Sequence, residues 1–434
     1  MNKKLFPILS AFLLLFSLIE KGQATETYRP ETSVAGFIQL PGSGRQVYNF
    51  NPGWRFFKGD IHGAESVDFD DRSWTIVSTP HTVELMPAEA SGCRNYQGPA
   101  WYRKHFVLPA ETKGKRVLIH FEAAMGKQVL YLNGKRIQEH VGGYLPFTLD
   151  LTTNGIQAGD SCLLAIFVDN SNDKSFPPGK PQYTLDFAYH GGIYRDVWMI
   201  AKSPVSITDP LDSQTVAGGG VFVHFDKISE KSAQVYVNTE LQNDNQHTET
   251  VTVETTLTDA DGKVIKRTSG KLSLKSGEKK IIRQQIEVKS PKLWSPDAPY
   301  LYKVQSRIKK GNQSIDGGIT RIGIRLAEFR GKDGFWLNGK PFVQLVGANR
   351  HQDFAYVGNA LPNSQQWRDA KRLRDAGCTI IRVAHYPQDP SFMDACDELG
   401  MFVIVATPGW QYWNKDVKFG ELVHQNTREM IRRD

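Results

Sequence analysis

The fold is decided by Val346-Gly347-Ala348-Asn349-Arg350-His351-Gln352-Asp353-Phe354 and, downstream, by Ile381-Arg382-Val383-Ala384-His385-Tyr386-Pro387. In both, an apolar run stops abruptly at Asn, Arg, His or Asp. Phe342, Val343, Leu345 and Val346, like Ile380, Ile381 and Val383, read as strands buried on both faces, the pattern of a parallel sheet. Polar residues gathered at the C-terminal ends of such strands read as a site. Ser364 to Gly377, between the two runs, is expected to be a helix with a Ser cap, an apolar stripe and a closing glycine. Pro390 to Gly400 repeats the helix signal with Phe392, Met393, Ala395, Cys396 and Leu399, and Met401 to Ala406 repeats the strand. This alternation fits a doubly wound sheet or a (β/α)8 barrel. No glycine-rich phosphate fingerprint stands at a strand-to-helix turn, and polar side chains drawn from several strand ends are a barrel feature, so the barrel is the better reading. Residues 329–434 fall well short of the roughly 250 residues of a whole barrel. They are expected to form about three of its eight units, with a third helix starting near Glu421.

Upstream, residues 25–202 read as all-β, a sandwich or jelly roll with short alternating runs. Val117 to Glu122, Val129 to Leu132 and the turn Asn133-Gly134 before Lys135 mark a hairpin. Trp54, Trp74, Trp101 and Tyr102 suit either sugar stacking or a core, the core being the commoner use. Residues 203–328 alternate again, in Val221 to Phe225, Ala233 to Val237 and Val251 to Val253, and suit an immunoglobulin-like sandwich. Leu293 to Asp297 reads as an exposed turn before a strand from Leu301 to Ile308. This middle segment is expected to be a spacer that fixes the first domain against the third.

Lys3 and Lys4 ahead of the apolar run Leu5 to Ile19, then Gly22-Gln23-Ala24, make residues 1–24 a signal peptide, so a secreted or periplasmic protein without a membrane anchor is expected. With 53 basic against 46 acidic residues the net charge is +7. Much of the excess lies between Lys263 and Lys292, alternating with Val264, Leu272, Leu274, Ile282 and Ile286. That is the wet face of a sheet rather than a nucleic-acid footprint. Cys93, Cys162, Cys378 and Cys396 read as buried thiols rather than a disulfide framework. No Cys or His spacing suggests a metal, and no cofactor is expected.

Five separated motifs make the chain resemble glycoside hydrolase family 2, the group of β-galactosidases, β-glucuronidases and β-mannosidases. They are Phe69-Asp70-Asp71-Arg72-Ser73-Trp74 with Pro80-His81-Thr82, Gly191-Gly192-Ile193-Tyr194-Arg195-Asp196-Val197, Trp294 to Tyr302, and the two strand ends quoted first. The resemblance implies a sugar-binding jelly roll, an immunoglobulin-like sandwich and a (β/α)8 barrel. It also implies retaining hydrolysis by two glutamates about 5 Å apart, the acid/base after an Asn at the end of the fourth strand and the nucleophile at the end of the seventh. No Asn-Glu pair stands near the barrel, and Glu398, Glu421 and Glu429 fall on expected helices or their approach. The expectation is therefore the N-terminal part of a secreted β-galactosidase-like enzyme without either catalytic glutamate. The rival is a carbohydrate-binding protein derived from one.

By the same resemblance, His351 and His385 contact the first sugar, Asp186 reaches over from the jelly roll, and Arg382 supports the nucleophile's carboxylate. Trp410, with Tyr412 and Trp413, suits stacking in outer subsites or packing on a loop. Gln352 replaces an acidic residue common in the family, and Val405-Ala406-Thr407-Pro408-Gly409-Trp410 lacks the acidic residues many members carry there, which argues against a metal. The expected partner is an oligo- or polysaccharide with a terminal β-linked sugar.

Overall fold

The computed structural model describes residues 31–32, 39–87, 95–213, 215, 218–342 and 345–434. Residues 1–24, expected to be a signal peptide, and Cys93 lie outside them.

Residues up to Lys202 form two antiparallel sheets. One, of five strands, runs Glu31–Thr32, Gln46–Asn49, Val197–Lys202, Arg116–Phe121, Phe147–Asp150; the other, of six, runs Thr75–Val77, Trp54–Lys58, Pro99–Val107, Ser161–Asp169, Lys127–Leu132, Lys135–Val141. Inward residues of both sheets, among them Trp54, Tyr102, Phe121, Leu164 and Ile166, fuse into one core. The hairpin joins Lys127–Leu132 to Lys135–Val141, and Asn133 and Gly134 both have positive φ, 49° and 82°, as a two-residue turn of this hand requires. Trp54, Trp74, Trp101 and Tyr102 are all buried, so they are core and not platforms.

Two four-stranded sheets follow, one around Ser232–Asn243 and one around Glu249–Thr258. The lysines of Val264–Leu274 and Lys279–Lys289 face water while Leu272, Leu274 and Ile286 are buried, but Val264 and Ile265 are exposed, because the outer half of their strand overhangs the core. The turn at Leu293 to Asp297 is not exposed as expected. Trp294 is 1% accessible, packs on Phe402 at 5.3 Å and donates its indole N–H to the carbonyl of Asp397 at 2.9 Å. It is a joint between the sandwich and the barrel. Arg321 pairs with Asp394 and Glu398 across the same seam. On the other side Arg45 makes two 2.8 Å bonds to the buried carboxylate of Asp316, tying the jelly roll to the sandwich.

The last portion is a three-stranded parallel sheet of Gly347–Arg350, Ile380–Val383 and Phe402–Val405, with helices α1 (Asn363–Asp375), α2 (Pro390–Leu399) and α3 (Val417–Arg433). Together with the two sandwiches this is the architecture of an incomplete TIM barrel on two β domains. Four readings need correction here. The first strand is Gly347–Arg350 rather than Phe342 to Gly347, and it is not buried on both faces. Leu345, Val346 and, on the third strand, Ile404 are exposed, because α1 and α2 cover one face while on the other, among the described residues, the packing of Phe402 on Trp294, Phe335 and Phe342 does not reach them. Ser364 is not the cap of α1; Pro362 precedes the helix and offers no side-chain acceptor. Helix α3 starts at Val417, capped by Asp416 accepting from the N–H of Lys418. Helix α2 is framed by Asp389, whose carboxylate accepts from Ser391, and by left-handed Gly400 at φ 76°. Cys162, Cys378 and Cys396 are free thiols. No helix among the described residues is long and apolar enough to cross a membrane.

Candidate functional site

Side chains alternate along a strand and continue to do so past its end, and this sorts the residues after Gly347–Arg350. Arg350 turns toward the helices, where it donates to Gln388 at 2.6 Å and to Gln366 and Asp369 at 2.8 Å and lies 4.0 Å over the ring of Phe392. Gln352 is likewise fully buried. His351, between them, turns the other way. After Ile380–Val383 the chain presents His385 and Tyr386, and after Phe402–Val405 it presents Trp410. Gly347 is obligatory at the base of this sheet, since a Cβ there would collide with the carbonyl of Ile380 on the neighbouring strand.

The jelly roll supplies the opposite wall. Its loop 178–189 is pinned from beneath. Asn170 donates to the carbonyls of Tyr189 and Tyr96 at 2.7 and 2.8 Å, and Gln182 accepts from the N–H of Tyr189 at 2.8 Å. This loop sets Asp186 and Phe187 over the strand ends. Ligand atoms of Asp186, His351 and His385 lie within 4.8 Å of one another. The Phe187 ring stacks on His351 at 5.1 Å and tilts against His385 at 5.6 Å. Trp410 meets His385 edge-on at 5.2 Å, and Arg382 lies 5.3 Å from the Trp410 ring while donating to His385 Nδ1 at 2.9 Å. All five residues singled out from the sequence therefore converge. Tyr412 packs on Phe419 instead, and Trp413 stands in solvent.

The crevice is completed by residues that sequence reading missed. Tyr144, Lys180, Tyr189, Tyr386 and Gln411 line it. Tyr386 stacks flat on Tyr144 at 4.1 Å and sets its hydroxyl 3.3 Å from His351 Nδ1. A Tyr directly after His385 in an apolar-to-polar strand end was the available signal for Tyr386. Phe187 and Tyr144 had none, because only the docking of two domains brings them here.

That docking is the work of Arg195, from Gly191-Gly192-Ile193-Tyr194-Arg195-Asp196. Its buried guanidinium donates to the carbonyls of Tyr144 at 3.0 Å and Pro387 at 2.8 Å and to the side chain of Gln352 at 3.1 Å, and lies 3.9 Å from Asp389. Asp196 accepts from Asn51 at 2.8 Å and from Asn363 at the start of α1 at 2.9 Å. Gly192, at φ 116°, leaves no room for a side chain beneath His81 and Tyr102. Gln352, noted as a departure from the family's acidic residue, is a neutral acceptor for Arg195.

Burial lowers the pKa of both pocket histidines from the ordinary value. For His351 this is opposed by Asp353 and Asp186; for His385 it is reinforced by Arg382 and His351. Near neutral pH both imidazoles are uncharged, each with one donor and one acceptor nitrogen. The glutamates of the last domain lie elsewhere. Glu398, on α2, pairs with Arg321 and accepts from Trp367, while Glu421 and Glu429 ride on α3. Asp186, His351 and His385 come from three separate loops, so no spacing rule could have shown that their ligand atoms meet.

Family models match all three parts: the sugar binding domain of glycosyl hydrolases family 2 over residues 64–204, glycosyl hydrolases family 2 over 219–325 and the family 2 TIM barrel domain over 329–429. The chain belongs to glycosyl hydrolase family 2. A β-galactosidase of Thermoanaerobacter pseudethanolicus is 36% identical over 90% of this chain and 50% of its own length; a β-glucuronidase of Formosa agariphila is 33% identical over 84% and 38%. The solved structure of Bacteroides uniformis β-glucuronidase 2, covalently bound to cyclophellitol-6-carboxylate aziridine, superposes with a TM-score of 0.80 at 31% identity, covering 90% of this chain and 45% of that one. The chain thus spans about half the length, or less, of these relatives.

Proposed function

We propose that this chain carries the sugar-recognition portion of a secreted, retaining β-glycosidase acting on terminal β-linked sugars, of the β-galactosidase type. The observation that carries the reading is the convergence of Asp186, His351 and His385 at the mouth of parallel strands. A carboxylate and two neutral imidazoles offer the mixed acceptors and donors that vicinal hydroxyls require, and Phe187 and Trp410 offer apolar faces to the C–H side of a ring. Support for a galactoside over a glucuronide is that the T. pseudethanolicus β-galactosidase is the more identical of the two relatives compared. Arg382 would keep a nucleophilic carboxylate ionised beside the sugar.

We infer that neither catalytic glutamate is among these 434 residues, since the glutamates of the last domain are helix-borne. Positioning without an acid and a nucleophile leaves the glycosidic bond unassisted. The purified chain is therefore expected to hydrolyse aryl β-galactosides and β-glucuronides no faster than buffer. Methyl β-galactoside should bind, measured calorimetrically, and binding should fall at least about tenfold in Asp186→Ala and His385→Ala, one lost hydrogen bond to a charged or buried group being worth that much. Turnover that a mutation within the chain abolishes, or unchanged binding in both variants, would overturn the reading. The rival, a carbohydrate-binding protein that never cleaves, uses the same pocket; a coding sequence continuing past Asp434 to an Asn-Glu strand end decides for the enzyme. Export is supported by Lys3, Lys4 and the run Leu5 to Ile19, and N-terminal sequencing of the mature protein should begin at Thr25.

A further inference from the structure

Asp186, His351 and His385 have the composition of a metal site. A carboxylate and two imidazoles within 4.8 Å of one another suit a zinc-like ion with an open fourth position. One contact argues that the site is held in a different state. Arg382 Nη1 donates to Nδ1 of His385 at 2.9 Å. A guanidinium has N–H donors and no lone pair to accept with, so Nδ1 must be the bare nitrogen of the ring. In an uncharged imidazole the proton then sits on Nε2.

Arg382 is itself held from three strands. It lies within the strand Ile380–Val383, in register with Asn349 on the strand before, whose side chain accepts from Nη1 at 3.5 Å, and its guanidinium stands 5.3 Å from the ring of Trp410 beyond the strand after. With five N–H donors in a fixed fork, it can meet His385 and still have donors for a carboxylate.

We propose that Arg382 is a positioning residue that locks His385 in its Nε2–H tautomer. His385 then offers the pocket a donor where Asp186 offers acceptors, and the lone pair a transition metal would need is already occupied by the arginine. The assignment concerns the protonation pattern of the site and holds whether or not the ligand is a sugar. Its failure is therefore distinguishable from failure of the functional reading.

The test uses the full chain labelled with 15N-histidine. Long-range 1H–15N correlations, with the His385 signals identified by their loss in His385→Gln, should show a bare Nδ1 and a protonated Nε2. A protonated Nδ1, or an averaged signal of both tautomers, overturns the proposal. In Arg382→Met, which removes the donors at similar side-chain volume, the signals should average, and zinc chloride titrated calorimetrically should bind at least about tenfold more tightly than to the wild type, the size of effect expected when a ligand atom is freed. That gain should vanish in Arg382→Met/Asp186→Asn. Equal zinc affinity in wild type and Arg382→Met overturns the metal-excluding role. Should Arg382→Met fail to fold, the wild-type spectrum alone decides the tautomer.

Discussion

The jelly roll and the barrel portion are both built on apolar strands, yet they bury them to different degrees. Leu118, Ile119 and Phe121 are at most 1% accessible, and Leu164 and Ile166, in the facing sheet, are fully buried. Ile381 and Val383 are just as buried, but Ile404 on the same sheet is 51% accessible and Val346, just ahead of its first strand, 56%. The jelly roll closes its core between two sheets, whereas the parallel sheet has helices on one face and, among the described residues, only the packing around Phe402 on the other. Hydrophobic residues thus mark which face is covered once a partner wall exists; they do not supply the wall. What ties the open sheet to the closed one is a polar seam around Arg195, and the strength of that seam is the first thing to perturb.

Arg195→Met should have the largest effect. It leaves the carbonyls of Tyr144 and Pro387, the side chain of Gln352 and the carboxylate of Asp389 facing an apolar side chain. Removing one partner of a buried charge pair costs about 3–5 kcal/mol. Denaturant unfolding should separate into an early step for the barrel portion and a late one for the β domains; a single transition with unchanged midpoint would show that the two regions do not depend on this joint. Next, Leu164→Ala should cost about 2–5 kcal/mol, as a fully buried leucine does, while Ile404→Ala stays within about 0.5 kcal/mol. Similar losses for both would mean that the open face is covered in solution.

Hydrogen exchange sharpens the contrast without mutation. Amides of Arg116–Phe121 should exchange at least about tenfold more slowly than those of Ile380–Val383 in a verified monomer, because an edge-exposed sheet opens locally at lower free energy. Equal protection would mean that the parallel sheet has found a closure of its own.

The smallest effect is one of sign. Burial, then Asp389, pushes Asp196 at the joint up to about 6, and burial, then Asp196 and Asp389, holds Glu122 well above the usual carboxylate range. A raised folded-state pKa gives stability that is complete below about 4 and lost as pH rises through about 6. The pocket histidines are depressed, so their contribution is present above about 6.5 and lost as pH falls. Raising pH from about 4 to 6.5 should weaken the joint and firm the pocket. The urea midpoint of the joint transition should fall over that range in the wild type and flatten in Asp196→Asn; an unchanged slope would remove Asp196 from the account.

The second and third parallel strands, α1 and α2 were legible because their periodicities and terminators are local, whereas the first strand was placed too early, on the apolar run ahead of Gly347–Arg350. Asp389-Pro390 opening α2 and Gly400 closing it are written within a dozen residues. The pocket was legible only where a polar residue interrupts an apolar run, as at His351 and His385, or where a family motif fixed a distance, as at Asp186. Trp294 was misread as exposed because the barrel residues that cover it, Phe402 and Asp397, lie about a hundred positions later in the chain. Phe187 and Tyr144 escaped for the same reason. Long-range docking leaves no periodic trace.

Arg195 also bears on how such chains can be recombined. The jelly roll lends the pocket Asp186, Phe187 and Tyr144, and the barrel portion lends it His351, His385 and Tyr386. A graft that exchanged one domain for a relative's would be transplanting half a site. It would succeed only if the donor's arginine met a neutral acceptor at position 352 and a free carbonyl at 387, so the residue choices at the seam would have to be inherited together.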